Sequence, residues 1–147
     1  SVHGLPPGKG QENDVTTARD LAILCHQLLK HPETLRYTAT RERPFRPNVA
    51  GKTVIMRTHN HLLGHVEGCD GLKTGYITAS GFSIAVTAAR HGQRVIAIVF
   101  DSATLKVRDA KAAELLAKGF AAWPAAGSGN AALVIQPPAA PVAAKKK

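Results

Sequence analysis

The chain has 147 residues, 44% of them hydrophobic, and carries 19 basic against 10 acidic residues for a formal charge of +9. That is enough apolar chain for one packed domain and too little for two comfortable ones; it excludes wholesale disorder, and no apolar run approaches the roughly 18 residues of a membrane-crossing helix. The positive balance points to solubility or an acidic partner, and with only 5% aromatic residues a base-stacking surface is disfavoured, so nucleic acid is not an expected partner.

Residues 1–14 read as a Gly/Pro-containing loop with no apolar leader segment. Val15 to Lys30 is predicted as a helix. Thr17 followed by Asp20 has the shape of a capping box, and Leu21, Leu24, Cys25 and Leu28 form one apolar stripe at helical spacing. Pro32 ends it, and a short helical turn is expected over Glu33 to Tyr37. Thr38 to Arg46 and Thr53 to Thr58 read as the arms of a hairpin turning through 47–51, with Pro44 confining the first arm to an edge. His59 to Gly68 reads as a loop.

Three strands follow: Cys69 to Gly75, Gly81 to Ala89 and Arg94 to Phe100. The short His91-Gly92-Gln93 turn implies antiparallel pairing, and the run Val95, Ile96, Ile98, Val99 implies a strand covered on both faces. From Thr104 to about Trp123 the helical period returns, with Leu105, Ala112, Leu115, Leu116 and Phe120 on one face, and Pro124 closes the helix. The chain therefore divides into a domain over 1–123 and an Ala/Pro-rich tail over 124–147 that reads as disordered. The tail ends in Lys145-Lys146-Lys147. It is a candidate for weak association with an anionic membrane or wall polymer, although it lacks the apolar face of an anchoring helix.

The spacing of Cys25 and Cys69 matches no metal or redox pair, and Cys25 is expected as a buried thiol on the helix stripe. His59, His61 and His65 spell H-x-H-x₃-H, but only Glu67 or Cys69 lies near enough to complete a zinc set. They read as loop histidines, so no metal is expected.

The chemistry concentrates at Asp70-Gly71-Leu72-Lys73-Thr74-Gly75, which contains K-T-G at the end of a strand. An acyl-transfer site for a peptide ending in a free carboxylate needs a fixed positive charge and a hydroxyl at one edge, which Lys73 and Thr74 can supply. Gly75 leaves room for a ligand backbone to lie against the strand, and the next backbone N–H can face a developing oxyanion. Asp70 reads as a residue that shapes the start of the strand rather than as an acid.

The stretch DGLKTGYITASGFSIAVTAARHGQRVIAIV resembles the low-molecular-mass penicillin-binding D-Ala-D-Ala carboxypeptidases of serine peptidase family S11. HGLP near the start, TTARDLAILCHQLLKHPE, THNHLL and a last helix with Arg108 and KGF resemble the same family in the same order, over about residues 1–123. The resemblance implies an α+β, β-lactamase/transpeptidase-like fold, an antiparallel sheet flanked by helices, with only its C-terminal part present. It implies a serine-type carboxypeptidase that acts on peptidoglycan pentapeptides through an acyl-enzyme, is trapped by β-lactams, needs no cofactor, and is exported to the periplasm or cell envelope. By the same resemblance Lys73, Thr74 and Gly75 are catalytic-motif residues. Tyr76 supplies an oxyanion-hole N–H, Arg108 faces the substrate carboxylate, and Asn60 lies in a segment before K-T-G that places it among the substrate-binding residues; read on its own, Asn60 either orders its loop or is an ordinary turn residue.

Two departures stand out. Ile77 occupies a position that is often threonine in the family, which removes a hydroxyl near the carboxylate. No S-x-x-K occurs: Ser80, Ser83 and Ser102 each lack a lysine three residues on, so nucleophile and paired base are missing. Ser128-Gly129-Asn130 spells S-x-N, but in the tail, after K-T-G instead of before it. The sequence is therefore expected to begin after both upstream motifs, with a missing N-terminal half as partner, and to expose apolar surface that this half would cover. A non-catalytic module that binds peptidoglycan or a protein partner is the alternative.

Overall fold

The computed structural model describes residues 8, 10, 12 and 14–123; the HGLP stretch and the tail with its S-x-N triplet lie outside the described residues. The elements run α1 (Ala18–Leu28), α2 (Glu33–Thr38), β1 (Glu42–Phe45), β2 (Val54–Arg57), β3 (Cys69–Ile77), β4 (Gly81–Arg90), β5 (Gln93–Ser102) and α3 (Leu105–Ala121). None of these helices is long and apolar enough to cross a membrane.

Local chemistry sets the boundaries. Thr17 caps α1: its hydroxyl accepts from the Asp20 N–H at 3.1 Å and donates to the Asp20 carboxylate at 2.8 Å, so aspartate serves where glutamate is usual. Thr104 caps α3 through the Val107 N–H at 3.2 Å. Between β4 and β5 the chain reverses over His91 and Gly92, both at positive φ, as a two-residue hairpin requires.

β3, β4 and β5 form one antiparallel sheet in that order, and β1 pairs only with β2. Successive residues of β4 and β5 point to opposite faces, which builds two cores. Ile84, Val86, Ala88, Ala97 and Val99 pack against Ala112 and Leu116 of α3. Ala85, with Ile96 and Ile98, packs with Cys25 of α1 and Leu72 of β3. The apolar run of β5 is thus covered on both sides, as its sequence implied. At Gly119 α3 lies so close to β5 that an added Cβ would sit 2.5 Å from Val95 Cγ1.

The differences from expectation have local causes. The first hairpin arm starts at Glu42 instead of Thr38 because α2 runs on through Thr38, with the Ala39 N–H closing onto the Leu35 carbonyl. β3 extends past Gly75 to Ile77, and Tyr76 and Ile77 pair with Phe82 and Gly81. The stripe predicted on α1 is only partly covered: Cys25 is buried, but Leu24 is 62% exposed and Leu28 41%, with Ile23 exposed beside them. All eight residues of β1 and β2 are exposed as well, Val54, Ile55 and Met56 among them. Contiguous bare apolar surface drives association. The chain is therefore expected to self-associate as its concentration rises, and Leu24→Glu to reduce this; sedimentation velocity that shows the same concentration-independent monomer for both would contradict it.

Candidate functional site

β3 pairs with β4 along one side only, so among the described residues its other edge is free. Lys73, Thr74 and Gly75 sit on this edge strand opposite Ala85, Ile84 and Ser83. Lys73 and Gly75 are exposed and Thr74 is half-buried. The Lys73 ammonium donates to the Thr74 carbonyl. Nothing lies within 4 Å of a Cβ built on Gly75, so the face beside it is open. Tyr76 is exposed, with its ring stacked on its cross-strand partner Phe82, centroids 4.3 Å apart.

The approach to this edge is held from three sides. Asp70 takes a two-pronged ion pair from Arg94 of β5, 2.8 Å at each oxygen. The Arg94 guanidinium also donates to the Thr87 hydroxyl at 3.0 Å, and that hydroxyl donates to the Val95 carbonyl at 3.0 Å. One network therefore spans β3, β4 and β5. The Thr38 hydroxyl donates to the Asp70 carbonyl at 2.9 Å, tying α2 to the same point. Asp70 shapes the start of the strand, as expected; its partner Arg94 was not singled out in the sequence. The usable signal was strand register, which brings the first residues of β3 and β5 across the same end of β4.

Asn60 is buried, and both ends of its amide are occupied: its Nδ2 donates to the Gly71 carbonyl at 3.2 Å and its Oδ1 accepts from the Leu62 N–H at 3.1 Å. It orders the 59–65 loop and ties that loop to β3, the first of the two roles the sequence left open for it.

Arg108 departs furthest from expectation. It is 1% exposed, neither solvated nor open to a ligand. Its Nε and Nη2 donate to Asp109 Oδ1 at 2.8 and 2.6 Å, and Nη2 also donates to the His59 carbonyl at 3.1 Å. The cause is the loop: His59 to His65 folds over the start of α3 and takes the guanidinium into a buried pair. Asp109 Oδ2 lies 3.3 Å from His61 Nδ1, a second contact between the start of α3 and the loop. Among the described residues no group of three His, Cys, Asp or Glu could hold a metal. Lys73 and Arg108 are thus not brought together as two ligand-facing cations.

Both cysteines are free. Burial raises the pKa of Cys25, and burial raises that of Cys69 with partial offset from a backbone hydrogen bond at Gly71. Thiols held above their ordinary range are poor nucleophiles at neutral pH. Among the described residues, the arrangement is an open strand edge that carries one cation and one hydroxyl, groups that can bind and orient a ligand.

The peptidase S11 family, described as D-alanyl-D-alanine carboxypeptidase, matches residues 1–104. The D-alanyl-D-alanine carboxypeptidase DacF of Bacillus subtilis is 32% identical over 118 residues, covering 80% of this chain and 30% of its own length. DacC of Escherichia coli is 30% identical over 122 residues, covering 82% of this chain and 28% of its own. The chain therefore spans about three-tenths of the curated relatives it matches. Among solved structures, penicillin-binding protein D2 of Listeria monocytogenes in its ampicillin-bound form superposes with a TM-score of 0.68 at 35% identity, over 80% of this chain and 46% of that one. The Streptomyces K15 DD-transpeptidase shares the fold, with a TM-score of 0.69 at 24% identity over 76% of this chain and 44% of that one.

Proposed function

The chain belongs to the S11 peptidase family of D-alanyl-D-alanine carboxypeptidases, and from that premise we propose that its β3 edge is one wall of a serine-type carboxypeptidase site for peptidoglycan stem peptides. The observation that carries this reading is K-T-G on the unpaired edge of a strand whose start is clamped by Asp70, Asn60 and Thr38. A peptide lying beside that edge adds to the sheet through main-chain hydrogen bonds. Lys73 and Thr74 receive its terminal carboxylate, and the Tyr76 N–H faces the oxygen that gains charge when the penultimate carbonyl is attacked. The attacking serine forms an acyl-enzyme, the C–N bond to the terminal D-alanine breaks, and water then hydrolyses the ester. The serine and its paired lysine come from an S-x-x-K segment that the 147 residues do not contain. β-Lactams acylate the same serine, a role suggested by the ampicillin-bound relative. Such chemistry belongs to the periplasm or cell envelope. Ile77, where a threonine would add a hydroxyl, leaves Thr74 as the main hydroxyl for the carboxylate.

The absence of S-x-x-K also favours a second reading, a non-catalytic module that binds peptidoglycan or a protein partner along the same edge. A fluorescent penicillin separates the two. The 147 residues alone are expected to take no covalent label. Joined to an S-x-x-K-bearing segment they are expected to be labelled, and Lys73→Ala is expected to slow that labelling about 100-fold, the usual scale for losing one preorganised electrostatic contact. Reversible peptide binding with no labelling of the joined protein supports the module. Labelling indifferent to Lys73 contradicts the K-T-G assignment.

A further inference from the structure

Beside the start of β3, between α2 and the base of the β1–β2 hairpin, lies an open cleft of about 330 Å³. Its lining includes Arg41, Arg43 and Arg57 with a single carboxylate residue, Glu42, together with Met56 and Leu72. Arg57 is shared with Glu42 at 3.3 Å, whereas among the described residues no carboxylate pairs with Arg41 or Arg43. The Arg41 guanidinium lies over Gly64, where an added Cβ would come within 2.7 Å of it, so its present position depends on a residue without a side chain.

The cleft's three threonine hydroxyls are already engaged with the protein. Thr38 donates to the Asp70 carbonyl, Thr40 to the Arg36 carbonyl, and Thr58 accepts from the Asn60 N–H. With Glu42 already paired to Arg57, Arg41 and Arg43 are left as the cations of the lining without a carboxylate, and the planar fork of arginine matches carboxylate and phosphate oxygens in pairs.

We propose that this cleft is an oxyanion-binding site, distinct from the K-T-G residues, that takes a carboxylate or phosphate group between Arg41 and Arg43. It does not rest on the carboxypeptidase reading. Because Leu72 immediately precedes Lys73, an anion bound there would lie alongside the same strand.

Arginine-selective modification with phenylglyoxal, read residue by residue by mass spectrometry on the dilute 147-residue chain, tests this. Inorganic phosphate and succinate are the two probes, sodium chloride at matched ionic strength is the control, and Arg19, an exposed arginine on α1, is the internal reference. The expected result is saturable protection of Arg41 and Arg43, about fivefold at saturation as for a paired fork contact, with Arg19 unchanged. Protection by phosphate alone, succinate alone or both supports the site and identifies the oxyanion it prefers. In Arg43→Gln, protection of the remaining Arg41 is expected to fall. Protection that does not saturate, that chloride reproduces, or that Arg19 shares overturns the proposal, as does an Arg43→Gln chain in which Arg41 is protected as before.

Discussion

Gly68→Ala is expected to destabilise the chain by about 3 kcal/mol, the sum of a left-handed alanine and a lost backbone hydrogen bond with the crowding that breaks it. Gly68 sits at φ +72, just before β3, and an added Cβ would lie 2.0 Å from the Ala89 carbonyl oxygen and 2.9 Å from its carbon. Both are backbone atoms of β4, which cannot swing aside as a side chain would. Gly68 is also bonded there, since its carbonyl accepts from the Ala89 N–H at 2.9 Å. The strand must move and the bond must break together. For a domain of this size the loss corresponds to roughly 10 °C in melting temperature. Gly92→Ala is the comparison: φ is +76 but nothing lies within 4 Å, so only the conformational cost of about 1–2 kcal/mol applies. Equal melting temperatures for the two variants would contradict the packing argument.

Arg108→Met is expected to cost about 3–5 kcal/mol, the range for removing one partner of a buried ion pair. The variant leaves the Asp109 carboxylate facing a loop with its main cation gone and the His59 carbonyl without its donor. The 59–65 loop should loosen from α3, and with it Asn60, whose amide holds the Gly71 carbonyl next to the K-T-G edge. Arg108→Lys keeps the charge but not the fork, and should fall between the parent and Arg108→Met. Because the two groups are coupled, Arg108→Met with Asp109→Leu should lose less than the sum of the single variants. Urea unfolding checks all four. If Arg108→Met unfolds like the parent and instead weakens binding of a D-Ala-D-Ala-ended peptide, the arginine faces the ligand after all.

Much of this fold was legible because local signals and tertiary packing agree. The Thr17–Asp20 cap, the two-residue turn at His91 and Gly92 and the alternation along β4 are settled within a few residues of sequence. That Lys73, Thr74 and Gly75 lie on a strand was legible for the same reason. Arg108 was not: helical spacing marks its position on α3, but burial depends on a loop some fifty residues earlier. The same holds for Arg94, which reaches Asp70 only once β3, β4 and β5 are in register. Leu24 and Leu28 fit the helical stripe, yet they stay exposed because no described element packs over them.

The proposed function requires a carboxylate-ended peptide to lie along the edge of β3 that carries Lys73, Thr74 and Gly75. Chemical-shift mapping with an N-acetylated peptide ending in D-Ala-D-Ala, on a Leu24→Glu background to limit self-association, tests it most directly. The account predicts saturable shifts centred on residues 73–76, and binding weakened about tenfold or more by Lys73→Ala, as for loss of a charge-assisted contact. Shifts centred away from β3, or an affinity indifferent to Lys73, would contradict it.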